Sequence, residues 1–600
     1  MSKKTSINDL LTEAFESYNK KDFEGSKNSY LEILKIDESN SEAMANLGVI
    51  YKALGENKKS YEYYVKAINS NPNNSMTYNN LGNLLKDTNN YKAALKVYSD
   101  AIKVNPKNAH SYNNIGMLFE RVNDNNRAIK AYKDAIRVNP KFDKAVNNIG
   151  VILYKQNKFE QAIEIFKIAL KIKPDYFELY SNIGACFNKL KEYDKAIESL
   201  DLAIKKNPKN SGAYTNLGNV YNKLKDYKKA AKLHEESIKL DPNGANAYSN
   251  LGTSYKYLGQ TSKAISSYKN AIEIDPNFAN AHFDLSTMYL AKGDFENGWK
   301  EYEWRFNKDE MKGHIYKFKD IFSKPRFTGK EDVSGKMVLL HSEQGFGDSI
   351  QLIRFITLFK EKFNCKIALK CRDELTELFK CIAEIDILTS RSENTPEFDY
   401  QLSIMSMPYI LNIKSFNEFP NKFPYLVSSK NDEIDIKKEK KKINIGICWS
   451  ASVTSESYEE RVLELKRFLP IINNDKINVY NLQLGPDRKE IKDLGIENTL
   501  IDLTPKLTDF SKTAALINQL DLVVSSDTSV VHLSGALNIP TWVLVPKIPD
   551  WRWQNKGNKS QWYPSIELFR QKSLSNWDSV FQSVYDKLFS VYKIKICLEK

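Results

Sequence analysis

The segment HSEQGFGDSIQ, residues 341–351, places glycines and a carboxylate between an apolar run and an amphipathic stretch. Gly345 and Gly347 let the main chain approach a ligand closely, and Gln344 beside them is a candidate cleft-lining residue. We expect Asp348 at the N-cap of a helix, where free amides and the helix dipole favour a carboxylate. That capping role needs no chemistry. Alternatively, Asp348 is a general base that takes a proton from an acceptor hydroxyl, and an aspartate so placed can do both.

The segment SSDTSVVHLSGALNIP, residues 525–540, presents a similar arrangement of a strand end followed by a helix. Asp527 or Thr528 caps the predicted helix, whose first-turn amides favour anions and phosphates in particular. Thr528 and Ser529 add hydroxyl donors there. His532, near the end of the first turn, either packs inside the protein against a neighbouring carbonyl or belongs to the ligand site. Both interpretations stay open at this point.

These two segments lie in a region where strand and helix patterns alternate. Strands are predicted at KMVLLHSE, KIALKC, ILTS, DYQLSI, INIGICWS, INVYNLQL, TLIDL, DLVVSS and TWVLVP, and helices at SIQLIRFITLFKEKF, DFSKTAALINQL and SVVHLSGALN. Such alternation predicts two doubly wound parallel sheets, in which ligands bind at the carboxyl ends of the strands. We place the two halves at 335–430 and 443–600, joined by a charged linker at 431–442, and expect the two sheets to face each other across a cleft for two substrates.

The first half of the sequence is a repeat array with a period of 34 residues. Glycines recur at positions 48, 82, 116, 150, 184, 218 and 252, and prolines at 72, 106, 140, 174, 208, 242 and 276. Leu81 and Leu85 lie on one face of a first helix, Gly82 lets a second helix approach it, and Pro106 ends that second helix. About nine helix-turn-helix units result, which resemble the tetratricopeptide repeat. We assign residues 1–306 to this solenoid and 307–334 to a connecting segment.

An asparagine stands two residues before each repeat glycine, although asparagine is a mediocre helix former. The members of this asparagine ladder are Asn46, Asn80, Asn114, Asn148, Asn182, Asn216 and Asn250. Either the amides bond the neighbouring repeat or the helix backbone, or they bind the main chain of an extended peptide, since an amide offers both donor and acceptor. The ladder resembles that in the repeat domain of the eukaryotic O-linked N-acetylglucosamine transferase.

Three segments carry a second resemblance: LLHSEQGFGDSIQLIRFITL, DTSVVHLSGALNIPTWVLVPKIPDWRWQ and QWYPSIELFRQ. They look like the glycosyltransferase domain attached to bacterial tetratricopeptide-repeat proteins, which is similar to the heptosyltransferases of lipopolysaccharide synthesis and their GT-B fold. The fold class implied is an all-α tetratricopeptide-repeat solenoid followed by an α/β GT-B-like glycosyltransferase domain of two facing parallel sheets.

The resemblance implies a nucleotide-diphosphate-sugar donor, bound mainly by the second sheet. The residues that match the diphosphate-binding motif are Asp527, Thr528, Ser529 and His532, and Asp348 matches the aspartate proposed as base. Ser450 in GICWS and the following Arg461 resemble a loop and basic residue near the donor phosphates, where a guanidinium pairs well with phosphate oxygens. Arg552 in DWRW is a further cleft-lining candidate. Trp551 and Trp553, which flank it, either line the cleft or pack the C-terminal segment.

Two departures from the family pattern bear on activity. Ala451 stands where the pattern has glycine, and Glu464 where it has proline before leucine. Whether they abolish activity is not decided by the sequence, nor are the sugar, the nucleotide, the acceptor and the oligomeric state.

The predicted function is inverting, metal-independent transfer of a hexosyl or heptosyl group to an acceptor, with the solenoid recruiting a protein acceptor and no cofactor or metal site required. One alternative is a non-catalytic interaction scaffold with a degenerate nucleotide-binding domain. Another is a glycan or lipid-linked acceptor at a membrane face.

Composition narrows the classes further. The net charge of +13 suits an acidic partner or peripheral association with an anionic membrane. The sequence has no dense basic run with interleaved aromatic residues, so nucleic-acid binding is not predicted. No apolar stretch is long enough for a transmembrane helix or resembles a signal peptide. The six cysteines form no CxxC pair. We therefore expect a cytoplasmic protein.

Overall fold

The computed structural model describes residues 6–309, 311, 313, 315, 318–428, 434–436, 439, 441–451, 461–574 and 576–596. They fall into two compact units, Met1–Pro242 and Asn243–Lys600. The boundary predicted at residue 306 follows the repeat register. The division by compactness lies inside the repeat array instead, because the last repeats pack with the α/β region. Half of the predicted linker 431–442, and residues 452–460 after Ala451, lie outside the described residues.

The described part of the first unit consists of seven helix pairs. Their bounds are α1 Ile7–Asn19, α2 Phe23–Ile36, α3 Ser41–Ala53, α4 Asn57–Ser70, α5 Ser75–Asp87, α6 Tyr91–Val104, α7 Ala109–Arg121, α8 Asn125–Val138, α9 Asp143–Lys155, α10 Phe159–Ile172, α11 Phe177–Lys189, α12 Tyr193–Lys206, α13 Ser211–Lys223 and α14 Tyr227–Leu240. The second unit begins with two more pairs, α15 Ala245–Tyr257, α16 Thr261–Ile274, α17 Ala279–Lys292 and α18 Phe295–Tyr302. The predicted helix-turn-helix repeats are confirmed.

The repeat glycines permit close contact between the two helices of each pair, as predicted. A Cβ atom on Gly82 would lie 2.4 Å from Cε1 of Tyr98, and one on Gly116 would lie 2.5 Å from Cε1 of Tyr132. The second helix presents its buried side chain 16 residues after each glycine: Tyr64, Tyr98, Tyr132, Phe166, Leu200, His234 and Tyr268. Glycine is therefore required by packing here, although it is a poor helix former.

His234 is the one titratable imidazole at this packing position, and it gives a prediction. Burial lowers its pKa to about 4, so folding excludes a proton that the unfolded chain binds below its ordinary pKa of 6.5. The free energy of unfolding should thus fall by up to about 1.4 kcal/mol per pH unit between pH 6.5 and 4. His234→Phe, which copies Phe166, should lack this contribution in thermal unfolding followed by circular dichroism. Tyr98→Phe should keep the wild-type pH slope; equal slopes for wild type and His234→Phe would contradict the prediction.

The first α/β half carries a four-stranded sheet in the order β3-β2-β1-β4. The strands are β1 Met337–His341, β2 Lys366–Cys371, β3 Ile387–Ser390 and β4 Tyr400–Ser403, and the helices are α19 Phe346–Leu352, α20 Ile356–Phe363, α21 Asp373–Phe379 and α22 Met407–Leu411. Its strand pairs are all parallel. The carboxyl end of β1 therefore leads directly into Gly345, Gly347 and Asp348.

The second half carries a five-stranded parallel sheet in the order β6-β5-β7-β8-β9. The strands are β5 Ile443–Cys448, β6 Ile477–Asn481, β7 Leu522–Ser526, β8 Thr541–Val545 and β9 Ile566–Arg570, and the helices are α23 Leu469–Ile472, α24 Glu490–Asp493, α25 Phe510–Ile517, α26 Ser529–Ala536 and α27 Asp578–Tyr592. Strands β7 and β8 are buried along their whole length, as expected where helices cover both faces. The two predicted parallel sheets are thus confirmed.

Several predicted elements were wrong in detail. The segment TLIDL forms only an isolated bridge between Ile501 and Tyr480, while IELFR, which was not predicted as a strand, is β9. The predicted helix SIQLIRFITLFKEKF is interrupted by a 3₁₀ turn at Ile353–Phe355. Further 3₁₀ turns that concern the site lie at Glu303–Asn307 and Trp551–Trp553.

Candidate functional site

The helices that follow β1 and β7 pack against each other and bring the two predicted strand ends together. Gly347 of α19 lies close to His532 of α26, because a Cβ atom on Gly347 would lie 2.6 Å from Cδ2 of His532. The missing side chain of Gly347 thus leaves room for a side chain of the opposite half.

Both carboxylate oxygens of Asp348 accept hydrogen bonds. Gly345, not Asp348, is the N-cap of α19, so the expected position was wrong by one turn: Asp348 is the third helical residue. Its Oδ2 accepts a hydrogen bond from the backbone N–H of Gly345 at 2.8 Å, and its Oδ1 accepts one from Nη2 of Arg552. The carboxylate therefore still satisfies the helix terminus, and it also forms an ion pair between the two halves.

Arg552 connects four side chains at the junction of the halves. Besides Asp348, its guanidinium donates to Oδ1 of Asp550 at 2.9 Å and to Oε1 of Gln351 at 2.6 Å, and it lies 4.2 Å from the ring centre of Trp551. Burial opposes its charge, but Asp550 and Asp348 raise the pKa of Arg552 above its usual value. Arg552 is thus a buried cation at the place where the sequence predicted a cleft-lining residue.

A second arginine–aspartate contact lies after β7. Nη1 of Arg461 lies 3.6 Å from Oδ2 of Asp527 and donates to the Asp527 carbonyl at 3.3 Å. Burial raises the pKa of Asp527 to about 6, although the charge of Arg461 acts in the opposite direction. The structure thus brings together Asp527 and Arg461, which lie 66 residues apart in the chain.

The N-terminus of α26 is the place where the sequence predicts an anion site. Thr528 is the N-cap, and its own side chain makes no capping hydrogen bond to the first amides. The Thr528 hydroxyl lies 3.1 Å from that of Ser525. Thr528 and Ser529 are half-buried, so they stay accessible, whereas Asp527 is buried.

His532 is a packed and neutral side chain. Its Nδ1 lies 2.9 Å from the Tyr563 hydroxyl, and its ring stacks on Trp553 with centres 5.5 Å apart. Burial, followed by the charge of Arg552, lowers its pKa to about 3. Its partner is a phenol instead of the carbonyl considered from the sequence, and Trp553 packs here too.

Ser450 is buried and engaged at the carboxyl end of β5. Its hydroxyl donates to Oδ2 of Asp487, and its backbone N–H donates to Oε1 of Gln483 at 2.8 Å. Sequence reasoning missed these two partners, together with Gln351, Asp550 and Tyr563. Asp550 and Tyr563 lie inside the quoted motifs DWRW and QWYPSIELFRQ, but nothing local marks either as a partner.

The asparagine ladder bonds successive repeats within the first unit. Four members donate to the residue 35 positions earlier: Asn114 to Asn79 at 2.9 Å, Asn148 to Asn113 at 3.1 Å, Asn182 to Asn147 at 3.2 Å and Asn216 to the Ser181 hydroxyl at 3.1 Å. The acceptors Asn79, Asn113, Asn147 and Ser181 thus form a second polar row beside the ladder. The ladder residues are all half-buried. Nδ2 of Asn114 also donates to Oδ1 of Asn83 at 3.2 Å, and each ladder amide also offers an acceptor oxygen.

Comparison with known proteins finds matches in the repeat region and in part of the α/β region. Models of the tetratricopeptide repeat match residues 41–74, 63–96, 82–123, 113–177, 177–210 and 210–277. The model of glycosyltransferase family 9 (heptosyltransferase) matches residues 420–545. The chain joins tetratricopeptide repeats to a glycosyltransferase family 9 domain. This domain supports glycosyl transfer as the class of activity, and the repeats indicate protein–protein interaction. The match includes Arg461 and His532 but neither Asp348 nor Arg552.

Protein FlbA of Caulobacter vibrioides is 22% identical over 316 residues, which cover 48% of this chain and 51% of FlbA. The chain thus spans about half the length of this curated relative.

Three solved structures are similar to parts of the chain. The Cut9–Hcn1 hetero-tetramer of the APC/C is 20% identical, with a TM-score of 0.36 over 48% of this chain and 56% of that chain. YrrB, a TPR protein with an unusual peptide-binding site, is 22% identical, with a TM-score of 0.26 over 31% of this chain and 95% of that chain. A tetratricopeptide repeat protein from Parabacteroides merdae is 16% identical, with a TM-score of 0.35 over 41% of this chain and 98% of that chain.

None of the described helices has both the length and the hydropathy that a membrane span requires.

Proposed function

We propose that this chain transfers a sugar from a nucleotide-diphosphate-sugar to an acceptor protein that the repeats recruit. The observation that carries the proposal is the packing of α19 against α26, since Asp348 lies in the first turn of α19 and Thr528 and Ser529 begin α26. The family 9 domain supplies the reaction class. The repeats supply the argument for a protein acceptor.

The donor diphosphate would bind at the N-terminus of α26. The half-exposed hydroxyls of Thr528 and Ser529 and the first-turn amides are donors for phosphate oxygens. Arg461 supplies positive charge next to Asp527. These groups would stabilise the negative charge that develops on the leaving diphosphate, which is a task that a metal ion performs in other enzymes. We therefore propose metal-independent and cofactor-free transfer.

Asp348 would take the proton of the acceptor hydroxyl. Each of its oxygens has a second acceptor position beyond the bond to Gly345 or Arg552, so the ion pair does not by itself prevent proton abstraction. A base on the first half and a leaving group on the second suit a single displacement, and hence inversion at the anomeric carbon.

The test is donor turnover by the purified full-length protein. A panel of uridine-, guanosine-, adenosine- and cytidine-diphosphate sugars is incubated with the protein, and nucleotide release is followed with and without bacterial lysate proteins as acceptors. We expect release from one donor class and sugar on protein acceptors. Absence of release from every donor would contradict the proposal.

A non-catalytic scaffold is the second candidate, favoured by the internal bonds of the cluster. Asp348, Arg552 and Ser450 already satisfy one another or their neighbours within the described chain. Tight nucleotide binding in calorimetry without release of sugar would support this alternative.

The ladder provides a separate prediction about acceptor recruitment. Replacing Asn148, Asn182 and Asn216 by alanine should weaken binding of a fluorescein-labelled Gly–Ala–Ser peptide of about 20 residues by roughly tenfold or more, since each hydrogen bond contributes about 1 kcal/mol. Fluorescence anisotropy measures the affinity, and circular dichroism checks the fold. The control replaces the exposed Asn73, Asn126 and Asn277, which lie outside the ladder. Lower stability with unchanged peptide affinity would assign the ladder to repeat packing alone.

A further inference from the structure

The last repeat is joined directly to the loop that leads to Asp348. This loop, residues 342–345, follows β1, and two residues at the end of the repeat array contact it. The Tyr302 hydroxyl donates to Oε1 of Gln344 at 3.1 Å, and Nε of Arg305 donates to Oε1 of Glu343. Both contacts lie inside the second compact unit.

Arg305 is buried and nearly all its donors are used. Its side chain is 2% exposed. Nη1 donates to the Tyr302 carbonyl at 3.2 Å and to Oε1 of Glu303 at 2.6 Å, and Nη2 donates to the Ser406 hydroxyl at 2.7 Å. A guanidinium held at this many points fixes the geometry of its partners, which a lysine in the same place would do less well.

Glu343 depends on that guanidinium for its charge. Burial alone would raise the pKa of its carboxyl, but the charge and hydrogen bond of Arg305 lower the pKa below its usual range. Its side chain is fully buried. Without Arg305 the loop would contain a buried carboxylate that has lost its ion-pair partner, only two residues before the N–H that binds Asp348.

The same repeat also supports the other side of the ion pair. Trp299 and Tyr302 pack edge-on against Trp551, with ring centres 5.5 and 6.5 Å apart, and Arg552 lies over the Trp551 ring. The end of the array therefore contacts the residues next to each member of the Asp348–Arg552 ion pair. These are the loop before Asp348 and the Trp551 ring beneath Arg552.

We propose that Tyr302 and Arg305 are positioning residues for glycosyl transfer, acting through Glu343 and Gln344 on Asp348. The last repeat is then part of the reaction machinery, in addition to any role of the array in recruiting acceptors. This inference rests on the proposed function.

The test compares Arg305→Met, Arg305→Lys and Tyr302→Phe with wild type in the full-length protein. For Arg305→Met we expect kcat to fall about 10²-fold, since small misplacements near the reacting groups cost that much, while the donor KM stays close to wild type because the donor binds on the second half. Arg305→Lys should recover part of kcat, and Tyr302→Phe should lose several-fold. Arg467→Met, which removes an arginine paired with Asp578, is the control. Unchanged kcat in both Arg305→Met and Tyr302→Phe overturns the inference.

Two readouts separate positioning from mere stability. The double variant Arg305→Met with Glu343→Gln removes the stranded charge, so it should regain thermal stability without regaining kcat; full recovery of kcat would overturn the inference. Hydrogen exchange of the Gly345 amide, which donates to Asp348, should accelerate at least tenfold in Arg305→Met. That readout needs no turnover. Failure of wild type to use any donor would contradict the proposed function, whereas unchanged exchange would contradict the positioning role.

Discussion

Asp348→Asn is expected to lower kcat for sugar transfer by about 10²–10⁴-fold, the range typical for loss of a general base. Asparagine keeps an oxygen that can accept the Gly345 N–H, so α19 should remain capped. It cannot take a proton from an acceptor hydroxyl. The donor KM should change little, because the groups proposed to bind the diphosphate lie after β7 and near Arg461. Initial rates across donor and acceptor concentrations measure both constants.

Asp124→Asn is the matched control for this experiment. Asp124 also accepts a backbone N–H, from Arg127 at 3.0 Å, and it also pairs with an arginine, but it caps α8 in the first unit. Its replacement should leave kcat unchanged. Wild-type transfer by Asp348→Asn would remove the base assignment and leave Asp348 as a capping and ion-pairing residue, while the glycosyltransferase class would stand.

Arg552→Met is expected to destabilise the second unit by about 3–5 kcal/mol, the cost of removing one partner from a buried ion pair. The variant leaves Asp348 and Asp550 without their shared cation, and Gln351 without its donor. Methionine approximates the length of the aliphatic stem, so the lost charge and hydrogen bonds dominate the effect. Urea unfolding followed by tryptophan fluorescence reports this unit selectively, because all eight tryptophans lie at or after Trp299.

The control for Arg552 is Arg467→Met. Arg467 also contacts two carboxylates, Asp578 and Glu464, but these ion pairs are partly exposed. They should contribute about 1 kcal/mol or less to the free energy of unfolding. Equal losses for the two variants would show that the Asp348–Arg552 contact is no stronger than a surface pair, and would weaken the case for a closed junction between the halves.

His532 is held by its neighbours within the protein. Its position beside an anion seat suggested a ligand-binding role, yet its Nδ1 pairs with Tyr563 and its ring lies between Trp553 and Gly347. Its predicted part in the donor site is therefore indirect: it packs within α26, whose N-terminus would bind phosphate. Its low pKa makes it an unsuitable acid or base near neutral pH.

The sequence by itself determined the features that depend on local periodicity. A strict 34-residue spacing of glycines and prolines sufficed for the repeats, since helix contacts form between residues three and four apart and recur in each unit. Short apolar runs bounded by polar residues identified most strands. The segment TLIDL failed because an apolar run has the same pattern whether or not a partner strand pairs with it.

Only the tertiary structure decided which distant side chains meet. Arg552 reaches Asp348 across 204 residues, and Arg305 reaches Glu343 across 38, and no spacing rule connects such positions. The same holds for the ladder, where the choice of Asn79, Asn113 and Asn147 as partners follows from how successive repeats stack. Burial and neighbouring charge, which set the protonation of His532 and Glu343, exist only once these contacts have formed.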